Sequence, residues 1–385
     1  MDEHERFEVR ISDPGEVAAA VPHLLGFRPE ESVVLIGLGG PSGGRVGLTV
    51  RADIPPSWHA VPLAGALARR VATDDPDSVV VVLVSEARDE VAAADAKVLA
   101  ADAEVVAAGV TVAAADEEVA AAGEEDLPHR ALLHALVVAL DRQGIPVHDA
   151  LLVRGGRWWS YDCAHPCCDP AAGTPLPAGV SELAVASVAG GQVLARDRAE
   201  LVARLGPVSH EDLELVASAV QTVAAARAVR VQEAGWAAVE EEAWRTVLDA
   251  VARRRPGSSA ATLLLPAEEL ARVLWGLQHP EVRDRALGLA LGEDSAAAEA
   301  LWTECTRRAP FPVAAPPATL LAACAWLRGD GAMANVALEH ALLCDEDHQL
   351  ARLLSTGLAA CLHPEELRAM IAGTVRGLDG TTAAG

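Results

Sequence analysis

At 385 residues the chain exceeds one ordinary hydrophobic core, and length alone suggests about two or three domains. A net charge of −24, acidic in both halves and without an arginine stripe, argues against a nucleic-acid partner. No run of about 18 uninterrupted apolar residues occurs, so no membrane span is expected. MDEHERFEVR has no apolar h-region, and the expected location is the cytoplasm.

In chain order, Phe7–Ile11 alternates like a short strand. Asp13-Pro14-Gly15-Glu16 then supplies an N-cap, a first-turn proline and an early acid, which predicts a helix to about Leu25. Ser32–Leu38 and Arg45–Ile54 read as strands joined through Gly37–Gly44. A nucleotide loop would need a helix after those glycines, and a strand follows, so they read as a hairpin turn. His59–Val71 is helical in pattern. Ser78–Ser85 is apolar on both faces, the signature of a central strand. The stretch 86–126 combines 12 acids and two bases with abundant alanine, so it is expected as a solvated, Ala-rich insertion. Asp126–Gln143 reads as a helix stopped by Gly144.

Beyond about Val180 the strand signals stop. Asp197-x-x-Glu200 opens a helix, and helical patterns follow at 210–230, 233–254, 266–278, 280–291, 294–309, 316–328, 330–343, 347–361 and 363–374, separated by prolines, Gly329 and Asp345. The last four suggest paired hairpins with a tetratricopeptide-like repeat. The expected architecture is therefore an α/β N-terminal domain over 1–180, a mixed sheet with β-hairpins. An all-α, tetratricopeptide-like helical C-terminal domain over 181–385 follows.

Chemistry concentrates in Arg157–Leu176, which holds adjacent tryptophans, the single tyrosine and three of the seven cysteines. An odd cysteine count without a signal segment fits a reducing compartment better than a disulfide framework. Val153-Arg154-Gly155-Gly156-Arg157-Trp158 predicts a hairpin with a Gly-Gly turn. Its register pairs Arg154 with Arg157, Val153 with Trp158 and Leu152 with Trp159. Ala150 then faces Tyr161. Both faces are apolar and need cover, with the helical half the economical cover for one. Continued, the register sets His148 opposite Cys163. Cys167 and Cys168 follow in a loop bent by Pro166 and Pro170.

Three readings stand for His148, Cys163, Cys167 and Cys168. They are cysteines that only pack, a zinc site of three thiolates and one imidazole, or a reactive Cys163 activated by His148. Adjacent cysteines and the missing C-x-x-C knuckle weigh against zinc. Asp162 or Asp169 would orient the base in the enzyme reading. Arg28 would hold an anionic group there, or else simply pair with Glu30 or Glu31. Trp158, Trp159 and Tyr161 would line the pocket. His340, Cys344 and His348 share a helical spacing that invites a metal, although a packed helix explains it equally. No HExxH or G-x-S-x-G motif is present.

Pro22-His23-Leu24-Leu25-Gly26-Phe27-Arg28-Pro29-Glu30-Glu31-Ser32-Val33-Val34, Arg157-Trp158-Trp159-Ser160-Tyr161, Cys163, Cys167-Cys168 and Gly173-Thr174-Pro175-Leu176 resemble an actinobacterial family, domain of unknown function 4192. Leu320-Leu321-Ala322, Ala325-Trp326 and Gly329-Asp330-Gly331-Ala332 are similar to the same family, so the resemblance spans nearly the whole chain. It implies a cytoplasmic actinobacterial protein and no particular substrate. The insertion 86–126 is longer than the family's usual connection, which places any shared site elsewhere. The expected function is a non-catalytic adaptor, scaffold or ligand sensor, whose helical domain offers a protein partner its surface. The alternative is an enzyme with a Cys/His or metal-dependent site at the domain junction.

Overall fold

The computed structural model of the chain describes residues 13–40, 45–88, 126–178, 193–258 and 264–382. The expected strand Phe7–Ile11, turn residues 41–44 and residues 89–125 of the acidic insertion lie outside the described residues. The chain divides into two compact units, Met1–Arg198 and Ala199–Gly385.

The first unit is built on one six-stranded mixed sheet in the order β2-β1-β3-β4-β5-β6. Its strands are β1 (Ser32–Gly39), β2 (Arg45–Asp53), β3 (Ser78–Val84), β4 (Val147–Arg154), β5 (Arg157–Ser160) and β6 (Thr174–Pro175). The apolar run at Ser78 does lie inside the sheet, antiparallel to β1 and parallel to β4. Val79–Leu83 is almost wholly buried, as a strand covered on both faces must be.

Helix α1 (Pro14–Leu25) starts where its sequence predicts: the Asp13 carboxylate accepts from the Gly15 N–H at 2.6 Å. It closes on Gly26 at φ 75°, a conformation that favours glycine. Helices α2 (Ala60–Val71) and α3 (Arg130–Asp141) pack with Leu35, Val81, Leu83, Leu152, Trp159, Tyr161 and Cys168 in one core. The β4–β5 hairpin keeps the predicted register, with Leu151↔Ser160, Leu152↔Trp159, Val153↔Trp158 and Arg154↔Arg157. Gly155 and Gly156 have φ 54° and 73°, as the tight turn requires. Both faces of the hairpin find cover within the unit. Trp158 lies against Gly15 of α1, and Trp159 lies under Gly173 of the cysteine loop.

The second unit contains helices α5 (His210–Ala234), α6 (Trp236–Arg254), α7 (Ala267–Leu277), α8 (Pro280–Leu287), α9 (Ser295–Arg308), α10 (Ala315–Leu327), α11 (Gly331–Cys344), α12 (Gln349–Ala359) and α13 (Pro364–Thr382). A short α4 (Arg198–Ala203) precedes them. No helix among the described residues is long and apolar enough to cross a membrane. Helix α10 is buried nearly all round, so it is the centre of this unit. Inside the bundle, Arg308 of α9 donates to both carboxylate oxygens of Asp212 at 2.8 Å, to Glu304 at 2.7 Å and to the Leu265 carbonyl at 2.7 Å. Arg254 of α6 meets the other oxygen of Glu304. Four segments thus meet on one buried ionic cluster.

Candidate functional site

The hairpin ladder stops one step beyond Leu151↔Ser160. The Tyr161 N–H still donates to the Ala150 carbonyl at 2.9 Å, and the chain then turns at Asp162. Cys163 therefore leaves the sheet before it can face His148. Pro166–Cys168 forms a single 3₁₀ turn that carries Cys167 back to Cys163. As a result the Cys163 and Cys167 sulfurs lie 3.8 Å apart, and those of Cys167 and Cys168 4.0 Å apart. All three lie within 4.8 Å of one another.

A tetrahedral zinc ion with Zn–S bonds of about 2.3 Å separates neighbouring sulfurs by about 3.8 Å. The triangle already has that edge. The Cys168 sulfur also accepts a backbone hydrogen bond, from the Ser160 N–H at 3.3 Å. Donors of this kind stabilise thiolate charge and orient the sulfur. The His165 N–H, with help from the Cys168 thiol, holds the Cys163 thiol below its ordinary value. Burial pushes the Cys168 thiol up to about 11. Cys168 is buried in the sheet core, Cys163 is half-buried and Cys167 is exposed. Against the objection that adjacent cysteines rarely share an ion stands the measured separation, with the Cys167 and Cys168 sulfurs 4.0 Å apart.

The other predicted residues divide. His148 is exposed and stands outside the triangle, and Asp149 beside it is half-buried. The Asp149 carboxylate accepts from the Ala150 N–H at 2.8 Å and from the Ser160 hydroxyl at 3.3 Å. Burial raises its pKa, those two hydrogen bonds opposing the shift. Trp159 is committed to packing. Its indole N–H donates to the Asp169 carbonyl at 3.0 Å, and the Arg154 guanidinium lies 4.6 Å from its ring centroid. The Tyr161 hydroxyl donates to the Pro128 carbonyl at 2.5 Å. Trp158, one residue along the strand, faces the opposite side of the sheet. Asp162 and Asp169 are exposed, and the Asp169 carboxylate accepts from the Ala171 N–H at 2.9 Å. Arg28 is exposed too, and its backbone N–H donates to the Ala195 carbonyl at 3.3 Å. These residues do not converge on one pocket.

One polar cluster went unnoticed in the sequence. Buried Ser85, at the carboxyl end of β3, donates to the Glu31 carboxylate at 2.9 Å and stands 2.8 Å from His129 Nε2. Since its proton goes to Glu31, its oxygen accepts from His129 and from the Ala87 N–H at 3.2 Å. Glu31 and His129 both have positive φ, 38° and 66°. A serine so engaged has no lone proton to give a base, and the cluster ties segments together. The residue types alone carried no signal of it, because strained backbone is invisible in a sequence.

His340, Cys344 and His348 do not form a second centre. Helix α11 ends at Cys344, and His348 precedes α12. Among the described residues only the cysteine triangle groups three such donors within 4.8 Å. His340 and His348 instead have buried Nε2 atoms without hydrogen-bond partners among the described residues.

Comparison with known proteins adds a family and no activity. Neither a curated protein nor a solved structure matches the chain. The family model "Domain of unknown function (DUF4192)" matches residues 14–365, which takes in the sheet, the cysteine loop and most of the helical unit. By that match, the chain belongs to the family of domain of unknown function 4192.

Proposed function

We propose that this chain is a non-catalytic cytoplasmic adaptor or ligand-sensing protein whose α/β unit carries a zinc centre on Cys163, Cys167 and Cys168. The observation that carries the reading is the sulfur triangle, with edges of 3.8 and 4.0 Å matched to a tetrahedral ion. The ion would tie the loop 162–173 to the edge of the sheet, replacing the apolar burial that this polar loop lacks. Exposure of Cys167 leaves the fourth position facing solvent, where water or an exchangeable donor would complete the shell. The tetratricopeptide-like helical unit would present the partner surface. The enzyme alternative needs a base beside Cys163, and His148 stands outside the triangle.

Zinc titration of the reduced, metal-free chain tests the metal reading, combined with a count of alkylated thiols. One zinc per chain, three newly protected thiols and loss of stoichiometric binding in Cys168→Ser are expected. Binding that survives Cys168→Ser, or no binding at all, overturns it.

A further inference from the structure

The same three sulfurs are not equivalent, and the difference has a chemical use. Cys167 is exposed and Cys163 half-exposed at its side, whereas Cys168 is buried in the sheet core with its sulfur engaged by the Ser160 N–H. The Cys163–Cys167 pair has the shorter of the two sulfur separations given above, and it spans a short loop with Ala164, His165 and Pro166 between the two residues. A disulfide needs that separation to close to about 2.05 Å, a movement that the exposed side of a loop can make. Cys167 with Cys168 would instead close a small ring across one peptide bond, distorting it. A bond from Cys163 to Cys168 would have to draw a buried sulfur out of the core.

We propose that Cys163 and Cys167 form a peroxide-responsive dithiol, with Cys168 a bystander. One thiolate of the pair attacks one peroxide oxygen. An S–O bond forms, the O–O bond breaks, and the departing hydroxide takes a proton to leave as water. The thiolate of its partner then attacks the sulfenic sulfur. The S–S bond forms, the S–O bond breaks, and the second hydroxide leaves as water. Two thiols and one hydrogen peroxide give one disulfide and two waters, so sulfur is oxidised and peroxide oxygen reduced. Where the zinc reading of the preceding section holds, the reaction removes two of three thiolate ligands and the ion is released. In that respect alone the proposal rests on that reading.

The test treats the reduced full chain with stoichiometric hydrogen peroxide, before and after zinc loading. A chromogenic chelator follows released metal, and differential alkylation with fragment sequencing locates the disulfide. The expected result is one disulfide joining Cys163 to Cys167, Cys168 alkylated as a free thiol after denaturation, and release of all bound zinc. Cys167→Ser or Cys163→Ser should stop the reaction short of the disulfide, at a sulfenic acid on the remaining thiol that a cyclic dione traps. Three thiols still reduced after peroxide, or a disulfide through Cys168, overturns the proposal. A Cys163–Cys167 disulfide in a chain that never bound zinc upholds the dithiol and defeats the metal reading. Bound zinc with unoxidised thiols does the reverse.

Discussion

Gly173 holds the cysteine loop against the sheet. At φ 63° it occupies the left-handed region, and a Cβ at this position would run into the Trp159 indole. Gly173→Ala should therefore cost about 2–4 kcal/mol, the sum of left-handed strain and overpacking. Urea unfolding followed by tryptophan fluorescence would show it, and an unchanged midpoint would mean that the ring and loop separate freely. The same variant should weaken zinc binding, because Trp159 and Cys168 share one packed cluster. The adjacent cysteines and the glycine were visible in the sequence as an odd local composition. Their convergence was not. It depends on a 3₁₀ turn at Pro166–Cys168 and on a backbone N–H donor from Ser160, which have no residue-type signature.

Secondary elements were more legible, because periodicity and capping act over a few neighbouring residues. The hairpin register followed from Gly155-Gly156, since a two-residue turn fixes every pair behind it. Extrapolating that register to His148 and Cys163 failed because a ladder continues only while both chains stay extended, and this one turns at Asp162. In the helical unit, the prolines and glycines placed the breaks well. The contact that joins α5, α6, α9 and the segment at Leu265 is ionic, and no periodicity reports it. Arg308 is buried between Asp212 and Glu304, with side-chain exposures of 5%, 19% and 5%. Arg308→Met would keep the volume, strand the Asp212 carboxylate and leave Glu304 with Arg254 as its one arginine, so a loss of about 3–5 kcal/mol is expected. Chemical denaturation of the full chain checks this, and a loss below about 1 kcal/mol would place the cluster among surface pairs.

Stability as a function of pH reflects the histidines first. Burial lowers the pKa of His23, His279, His340 and His348, and Arg283 and Arg28 add to the effect at His348 and His23. Asp345 opposes it at His348 and Glu240 at His279. Each folded value lies below the unfolded one of about 6.5, so the unfolded chain binds more protons as pH falls through that value. Stability should be full above pH of about 6.5 and decline steadily below it. Glu241, Glu242 and Asp294 have lowered values from their arginine partners, so their contribution is lost only in more acid solution, below about pH 4.5. Urea midpoints between pH 7.5 and 5 measure the histidine window separately, and His340→Gln with His348→Gln should flatten the slope. An unchanged slope would show that neither buried imidazole is neutral in the folded chain.

From residue order alone came the mixed α/β and all-α organisation, the helix caps, the hairpin register and the candidate cysteines. All of these rest on interactions between residues close in the chain. Tertiary structure alone decided that Cys163, Cys167 and Cys168 share one triangle while His148 stands aside. It also decided that Trp158 and Trp159 serve opposite faces of the sheet as packing, and that Ser85, Glu31 and His129 meet. Those outcomes depend on where a strand stops and which loop folds back over it. Such choices are set by burial across the whole sheet, and neighbouring residue types do not encode them.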